Sequence, residues 1–178
     1  MENPYPALVG EALGLKSVVN QGVSGATFCI VPDRTSMTNA ILGFNGEADI
    51  ISLLLGINDF TASYPLGKLG DKTGSTIYGC LDLISRHLTT NYPDALIFYM
   101  TPLQYKTQSN GSYRLEDVVT AIKKVAAKYD IPVLDLYDQG KYELEMGIAP
   151  NDGVHPSANH HREYLAPLVE KFIIEHTK

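Results

Sequence analysis

Short, nearly continuous apolar runs are the clearest feature of the sequence. Three of them stand out, at Ile50–Leu55, Ala95–Met100 and Ile131–Leu136. Their apolar residues do not alternate with polar ones, which is typical of strands buried on both faces of a parallel sheet. A shorter fourth candidate, Ser17–Asn20, precedes the turn-rich segment Gln21–Thr27. The pattern therefore predicts four strands.

Segments with helical character lie between and around these runs. Apolar residues recur there at the spacing that places them on one side of a helix, or capping residues mark the helix ends. The predicted helices are Pro4–Leu15, Asp33–Phe44 with Asp33 as its cap, one through Ile77–Leu88, one through Leu115–Ala126 and a closing one through Tyr164–Ile173. This alternation implies right-handed crossovers. It predicts an α/β fold, a three-layer α/β/α sandwich that occupies residues 1–178 as a single domain.

The composition mainly excludes several classes of protein. The chain has 178 residues, 44% of them hydrophobic and 19% charged, which fits a globular domain. Its 14 basic and 20 acidic residues give a net charge of −6, which argues against nucleic-acid binding. No apolar run approaches the roughly 20 residues that cross a bilayer, and no signal peptide is visible. We therefore expect a cytoplasmic protein with neither nucleic acid nor a membrane as a partner.

Neither a metal nor a cofactor is expected. Cys29 and Cys80 are too few for a disulfide framework and are expected to be small buried side chains. Adjacent helical residues such as His160 and His161 point about 100° apart, so they cannot form one simple ligand pair. We expect His160 to lie on a solvated helix face. Glycine-rich phosphate loops are also missing from the sequence, which gives nucleotide binding no support.

Polar clusters follow the predicted strands, at the edge where open α/β sheets bind ligands. They are residues 20–27, residues 56–59 and residues 152–156, and the topology predicts that they converge on one site. The longest irregular segment, Gly56–Gly74, begins in this region and is expected to be functional or mobile.

Two kinds of chemistry are present in these clusters. Asp152 and His155 are three residues apart, a spacing that lets a carboxylate orient an imidazole and stabilise its charged form. A glycine N–H and an asparagine amide, at Gly25 and Asn58, are the donors that an oxyanion hole requires. Each feature alone is more often a cap or a turn, but the combination is much more specific.

The three clusters together resemble a known family. The motifs N-x-G-x-S-G, G-x-N-D and D-x-x-H-P, in this order and between these strands, are similar to blocks of the SGNH (GDSL-type) esterase/acylhydrolase family. The resemblance implies a flavodoxin-like parallel sheet and hydrolysis of carboxylic esters, commonly acyl or acetyl groups on carbohydrates or lipids, without metal or cofactor. It also implies that Gly25 and Asn58 form the oxyanion hole, that His155 is the general base and that Asp152 is its partner.

The family's nucleophile does not occur in this sequence. The family's G-D-S block ends its first strand, whereas the Gly70-Asp71 pair of this chain is followed by Lys72. The other candidate nucleophiles lack a suitable position or an activating neighbour; they are Ser24, Cys29, Ser36, Ser52 and Ser63. We therefore expect a chain that is truncated by one central strand relative to the family and is nearly inactive as given.

This expectation leaves alternatives for both the fold and the function. Ser17–Asn20 either pairs directly with Ile50–Leu55 or leaves Ile50–Leu55 as an exposed edge that recruits another chain, giving a homo-oligomer. Two functions are also possible. The first is a serine esterase for small-molecule esters, whose functional chain includes an upstream G-D-S strand. The second is a non-catalytic pseudoenzyme that binds an acyl or glycan ligand.

Overall fold

The computed structural model describes residues 4–104, 107–139 and 155–177. They form two compact units, Val23–Tyr137 and a second unit that combines residues 1–22 with residues 138–178. The elements of the first unit are α2 (Met37–Leu42), β1 (Ile50–Leu54), α3 (Ile57–Thr61), α4 (Ile77–Asn91), β2 (Leu96–Met100), α5 (Leu115–Lys128) and β3 (Val133–Leu134). The second unit contains α1 (Tyr5–Ala12) and a closing helix made of α6 (Ala158–His160), a π-helical turn (His161–Leu165) and α7 (Ala166–His176).

A parallel sheet with the order β1-β2-β3 organises the first unit. Strand β1 pairs with β2 from Ile50↔Leu96 to Leu54↔Met100, and Tyr99↔Val133 begins the short pairing of β2 with β3. Helices α4 and α5 lie in the two crossovers, as parallel pairing requires. The predicted α/β fold with a parallel sheet is therefore confirmed.

The core of this unit forms where α4 and α5 meet the sheet. Both helices are amphipathic and begin at good caps: Thr76 accepts a hydrogen bond from Gly79 N–H at 3.1 Å, and Asp117 accepts one from Arg114 N–H at 2.7 Å. The apolar helix faces are buried in one cluster with the sheet residues Ile97 and Tyr99. Burial of these faces supplies most of the driving force for the fold.

The second unit forms where α1 packs against the closing helix. Helix α1 ends in a Schellman motif: Gly14 has φ +62°, and Leu15 N–H donates to Gly10 O at 2.9 Å. Tyr5 stacks on His161, and its N–H donates to His161 Nδ1 at 3.2 Å. Both His161 and His160 are buried, so the predicted solvated face at His160 is wrong.

Several boundaries differ from the sequence prediction. The second predicted helix begins at Met37, and its N-cap is Ser36 rather than Asp33, because the Ser36 hydroxyl accepts a hydrogen bond from Asn39 N–H. The loop Gly56–Gly74 begins with the short helix α3. The last strand contracts to Val133–Leu134, since only these residues pair with β2.

The fourth predicted strand, Ser17–Asn20, is wrong. These residues are irregular and exposed, and none of them pairs with β1 in the described structure. A strand cannot satisfy its backbone hydrogen-bonding groups without a neighbour, so propensity alone does not form one. Consequently β1 is an edge of the described sheet.

Candidate active site

The first part of the site is the turn from β1 into α3. Gly56 has φ +111°, and a Cβ there would lie 3.0 Å from the side chain of Val118 and 3.4 Å from that of Phe28. Both the backbone conformation and the close packing therefore require glycine. The turn brings Asn58 into the first turn of α3, where its Nδ2 donates to Ala26 O at 2.8 Å. Asn58 is half-buried, beside the segment that contains Gly25.

Gly25 lies in a tight turn that the Ala26 N–H closes by donating to Val23 O at 3.1 Å. Its φ of +76° favours glycine at the third position of a type II turn. A Cβ at Gly25 would meet nothing within 4 Å, so the space in front of this residue is open. The Gly25 N–H has no hydrogen-bond partner among the residues that the structure describes. The turn thus presents a free backbone donor one residue from the carbonyl that binds Asn58.

Asp59 fixes this arrangement from inside the protein. Its carboxylate is fully buried and accepts hydrogen bonds from Phe28 N–H at 2.8 Å and Cys29 N–H at 2.9 Å. Burial raises the pKa of Asp59, while the two backbone N–H groups act in the opposite direction. Asp59 is a site residue that was not predicted from the sequence. The signal was its place directly after Asn58, where an acidic residue interrupts an apolar segment.

The segment 107–113 supports α3 from another side. Asn110 Nδ2 donates to Phe60 O at 2.8 Å, and Tyr113 Oη donates to Tyr64 O at 2.8 Å. The rings of Phe60 and Tyr113 also meet edge to face, with centroids 6.0 Å apart. Burial of the phenol raises the pKa of Tyr113 to about 12, so it remains a hydrogen-bond donor at neutral pH. Helix α3 is therefore held at both ends.

A second polar cluster lies at the carboxyl ends of β2 and β3. Thr101 Oγ1 donates to Asp135 Oδ1 at 2.9 Å and accepts from Tyr137 N–H at 2.9 Å, while Lys123 forms an ion pair with Asp135. This cluster was not predicted from the sequence. Because its polar groups bind one another, it links the ends of the two strands rather than presenting free groups to a ligand.

The alternative nucleophiles are poorly placed for catalysis. The Cys29 thiol is hydrogen-bonded to Cys80 and buried, and both effects raise its pKa, so the Cys29 thiol stays protonated. Ser36 is occupied as a helix cap. Ser24 is exposed beside Gly25, but the one histidine in residues 23–137, His87, is bound to Asn91 within α4.

Of the two residues predicted as the base and its partner, the structure describes His155 but not Asp152. His155 is exposed and lies two residues before Ser157, whose side chain caps α6 by accepting from His160 N–H at 3.2 Å. It belongs to the second unit, whereas Gly25 and Asn58 belong to the first. Asp152 lies outside the described residues. The structure thus brings the Gly25 and Asn58 blocks together, and the roles of His155 and Asp152 stay predictions.

The fold is that of an α/β protein in which a turn bound by the Asn58 amide lies beyond the carboxyl end of a parallel strand. The model of the GDSL-like lipase/acylhydrolase family matches residues 2–163 of the sequence. The chain therefore belongs to this family of carboxylic ester hydrolases. None of the helices in the described ranges is long and apolar enough to cross a membrane.

Solved structures share this fold. A protein from Lactobacillus plantarum is 26% identical, with a TM-score of 0.88 over 98% of this chain and 89% of that chain. An acetylxylan esterase from Geobacillus stearothermophilus is 21% identical, with a TM-score of 0.68 over 97% of this chain and 80% of that chain; this second likeness concerns the fold. A comparison with curated proteins found no significant match.

Proposed function

We propose that this chain carries the oxyanion hole and the general base of an acyl-ester hydrolase. The observation that carries the proposal is the open Gly25 N–H beside the Asn58 amide, at the carboxyl end of a parallel strand. An amide NH₂ has two donors, so Asn58 can bind Ala26 O with one and an oxyanion with the other. His155 is proposed as the base and Asp152 as the residue that orients it.

The reaction follows from these assignments. A serine hydroxyl attacks the ester carbonyl and gives its proton to His155, while Gly25 and Asn58 stabilise the negative oxygen. The tetrahedral intermediate then collapses, breaking the bond to the alcohol, which takes the proton from His155. Water repeats the same steps on the acyl-serine and releases the carboxylic acid. The sequence contains no Gly-Asp-Ser, so we propose that this chain alone hydrolyses esters poorly.

The proposed substrates are acetyl or other acyl esters of carbohydrates or lipids. The structural likeness to an acetylxylan esterase supports the carbohydrate esters. A Cβ at Gly25 would meet no described atom within 4 Å, and this space is compatible with a bulky alcohol group.

The absence of Gly-Asp-Ser also favours a second candidate, a pseudoenzyme that binds an acyl or glycan ligand without cleaving it. The two candidates differ in what an added serine does. A competent base and oxyanion hole respond to a nucleophile with turnover, whereas a binding site that has lost catalytic geometry does not.

The test is p-nitrophenyl acetate hydrolysis by the chain as given and by a serine-supplemented chain, in which a β-strand ending in Gly-Asp-Ser is fused ahead of Met1. We expect turnover in the serine-supplemented chain alone. Changing the added serine to alanine, or His155→Ala, should abolish it, because each removes one member of the catalytic group. His176→Ala is the matched control, an exposed histidine bound to Phe172 O within α7. Turnover that survives His155→Ala would exclude His155 as the base.

A further inference from the structure

The two cysteines of the chain lie next to each other in the core of the first unit. Both are free and buried, and the Cys29 thiol donates a hydrogen bond to Cys80. Cys29 belongs to an irregular segment, whereas Cys80 lies in the first turn of α4, about 50 residues later in the sequence. Because the sequence contains no third cysteine, any disulfide within the chain joins these two residues.

Gly74 holds the segments of the two cysteines together. Its carbonyl accepts hydrogen bonds from Ile30 N–H at 2.7 Å and from Cys80 Sγ at 3.2 Å. One oxygen therefore binds both Cys80 and the residue that follows Cys29. A Cβ on Gly74 would lie 2.3 Å from Ile30 Cδ1, so there is no room for a side chain at this position. The backbone around the two thiols is thus closely packed and fixed by hydrogen bonds.

We propose that Cys29 and Cys80 form an oxidisable dithiol site, which hydrogen peroxide converts to a disulfide. A thiol that reacts with peroxide forms a disulfide when a second thiol lies beside it, and Cys29 and Cys80 are in hydrogen-bond contact. Burial of both sulfurs favours a small oxidant over a bulky disulfide such as oxidised glutathione. The surface is one residue away, since Gly74 is half-buried between the exposed Thr73 and Ser75. This site does not depend on the proposed hydrolysis.

Cys80 is the thiol that reacts first. The hydrogen bond from Cys29 lowers the pKa of Cys80 and raises that of Cys29, although burial opposes the ionisation of both. The Cys80 sulfur takes a hydroxyl group from the peroxide as the O–O bond breaks, and the thiol proton leaves with the other oxygen as water. The Cys29 sulfur then displaces that hydroxyl group, which takes the Cys29 proton and leaves as a second water. The two thiols lose two electrons in all, and one peroxide is reduced.

The disulfide braces the segment that binds Asp59. Cys29 N–H donates to Asp59 Oδ1 at 2.9 Å, and Asp59 directly follows Asn58. A covalent bond from Cys29 to α4 closes a loop of about 50 residues, which removes conformations from the unfolded chain. We expect the oxidised chain to have a Tm about 5 °C or more above that of the reduced chain. An unchanged or lower Tm would overturn this bracing role.

Intact-mass spectrometry of the reduced chain, after hydrogen peroxide and then alkylation under denaturing conditions, tests the site. We expect a chain that has lost two hydrogens and takes up no alkyl group, with one tryptic fragment that links Cys29 to Cys80. Dithiothreitol should restore two alkylation sites. Two thiols that stay reduced, a disulfide between two chains, or separate oxidation of the sulfurs to sulfinic or sulfonic acids would overturn the inference.

Serine variants distinguish the two thiols. In Cys29→Ser the hydroxyl can still donate to Cys80, so Cys80 should stop at the sulfenic acid and be trapped by dimedone. In the matched variant Cys80→Ser the dimedone adduct should be lost, because the pKa of Cys29 is raised. Circular dichroism checks that both variants fold, and the unchanged chain decides the disulfide without them. An adduct on Cys29 but not on Cys80 would overturn the order of reaction.

Discussion

The Asn58 side chain donates a hydrogen bond from Nδ2 to the carbonyl of Ala26 at 2.8 Å, and so joins α3 to the turn that contains Gly25. This contact aligns the amide of Asn58 with the neighbouring turn before any substrate binds. Donors that are preorganised in this way stabilise charge in a transition state without having to reorganise during the reaction.

Asn58→Ala is expected to lower kcat of the serine-supplemented chain by about 10²–10³, the effect of losing one oxyanion donor. Steady-state kinetics on p-nitrophenyl acetate measures it. Asn110→Ala is the matched control, because Asn110 also donates to a backbone carbonyl at 2.8 Å but binds Phe60. Asn110→Ala should lower the free energy of unfolding and change kcat less than Asn58→Ala does. An effect of Asn58→Ala on KM alone would make Asn58 a substrate contact instead.

Gly25→Ala should reduce both activity and stability. The left-handed conformation of Gly25 costs an alanine about 1–2 kcal/mol, and relief of that strain would turn the free N–H away from the substrate. Gly14→Ala introduces the same type of strain, since Gly14 has φ +62° and also faces open space. Denaturant unfolding and kinetics together should show a stability loss in both variants and a loss of kcat in Gly25→Ala alone. Equal kcat in both would contradict a catalytic role for the turn.

Asp59→Ala should lower the free energy of unfolding by about 3 kcal/mol, because it leaves the buried N–H groups of Phe28 and Cys29 without an acceptor. Urea titration followed by circular dichroism measures the change. Asp59→Asn retains one acceptor oxygen and should be less damaging. A similar stability for Asp59→Ala and the unchanged chain would mean that water or a rearranged side chain replaces the carboxylate.

The same residue predicts a pH dependence. Because burial raises the pKa of Asp59 in the folded state, the unfolded chain releases this proton at a lower pH. The contribution of Asp59 to stability is therefore full below its ordinary pKa near 3.9 and decreases as pH rises towards the folded pKa. The free energy of unfolding of the unchanged chain relative to Asp59→Asn should fall over this range. A relative stability that rises with pH there would mean that the pKa is lowered.

Much of the first unit could be predicted from its apolar pattern. The periodicity of Ile77–Leu88 and Leu115–Ala126 marks α4 and α5, because each helix has one face in the core. Ser17–Asn20 could not be predicted in this way, since a strand depends on a neighbour that local sequence does not specify. The cap at Ser36 was missed for a similar reason: its choice over Asp33 depends on tertiary contacts with Phe28.

Some residues of the candidate site could be predicted from the sequence, and others could not. The order of the motifs indicated that Gly25 and Asn58 would be neighbours, and their hydrogen-bonded segments bear this out. The position of Asp59 directly after Asn58 was a signal, but its role as an acceptor could not be predicted, because its two backbone partners come from a segment about 30 residues earlier in the chain. The pairing of His155 with Asp152, the cytoplasmic location and the single domain remain predictions.

The central claim is that the chain carries the base and the oxyanion hole but no nucleophile. Intact-mass spectrometry after treatment with a fluorophosphonate tests this claim most directly. The chain as given should stay unmodified, whereas the serine-supplemented chain should gain one phosphonyl group on the added serine. A stoichiometric adduct on Ser24 or another residue of the unsupplemented chain would contradict the claim.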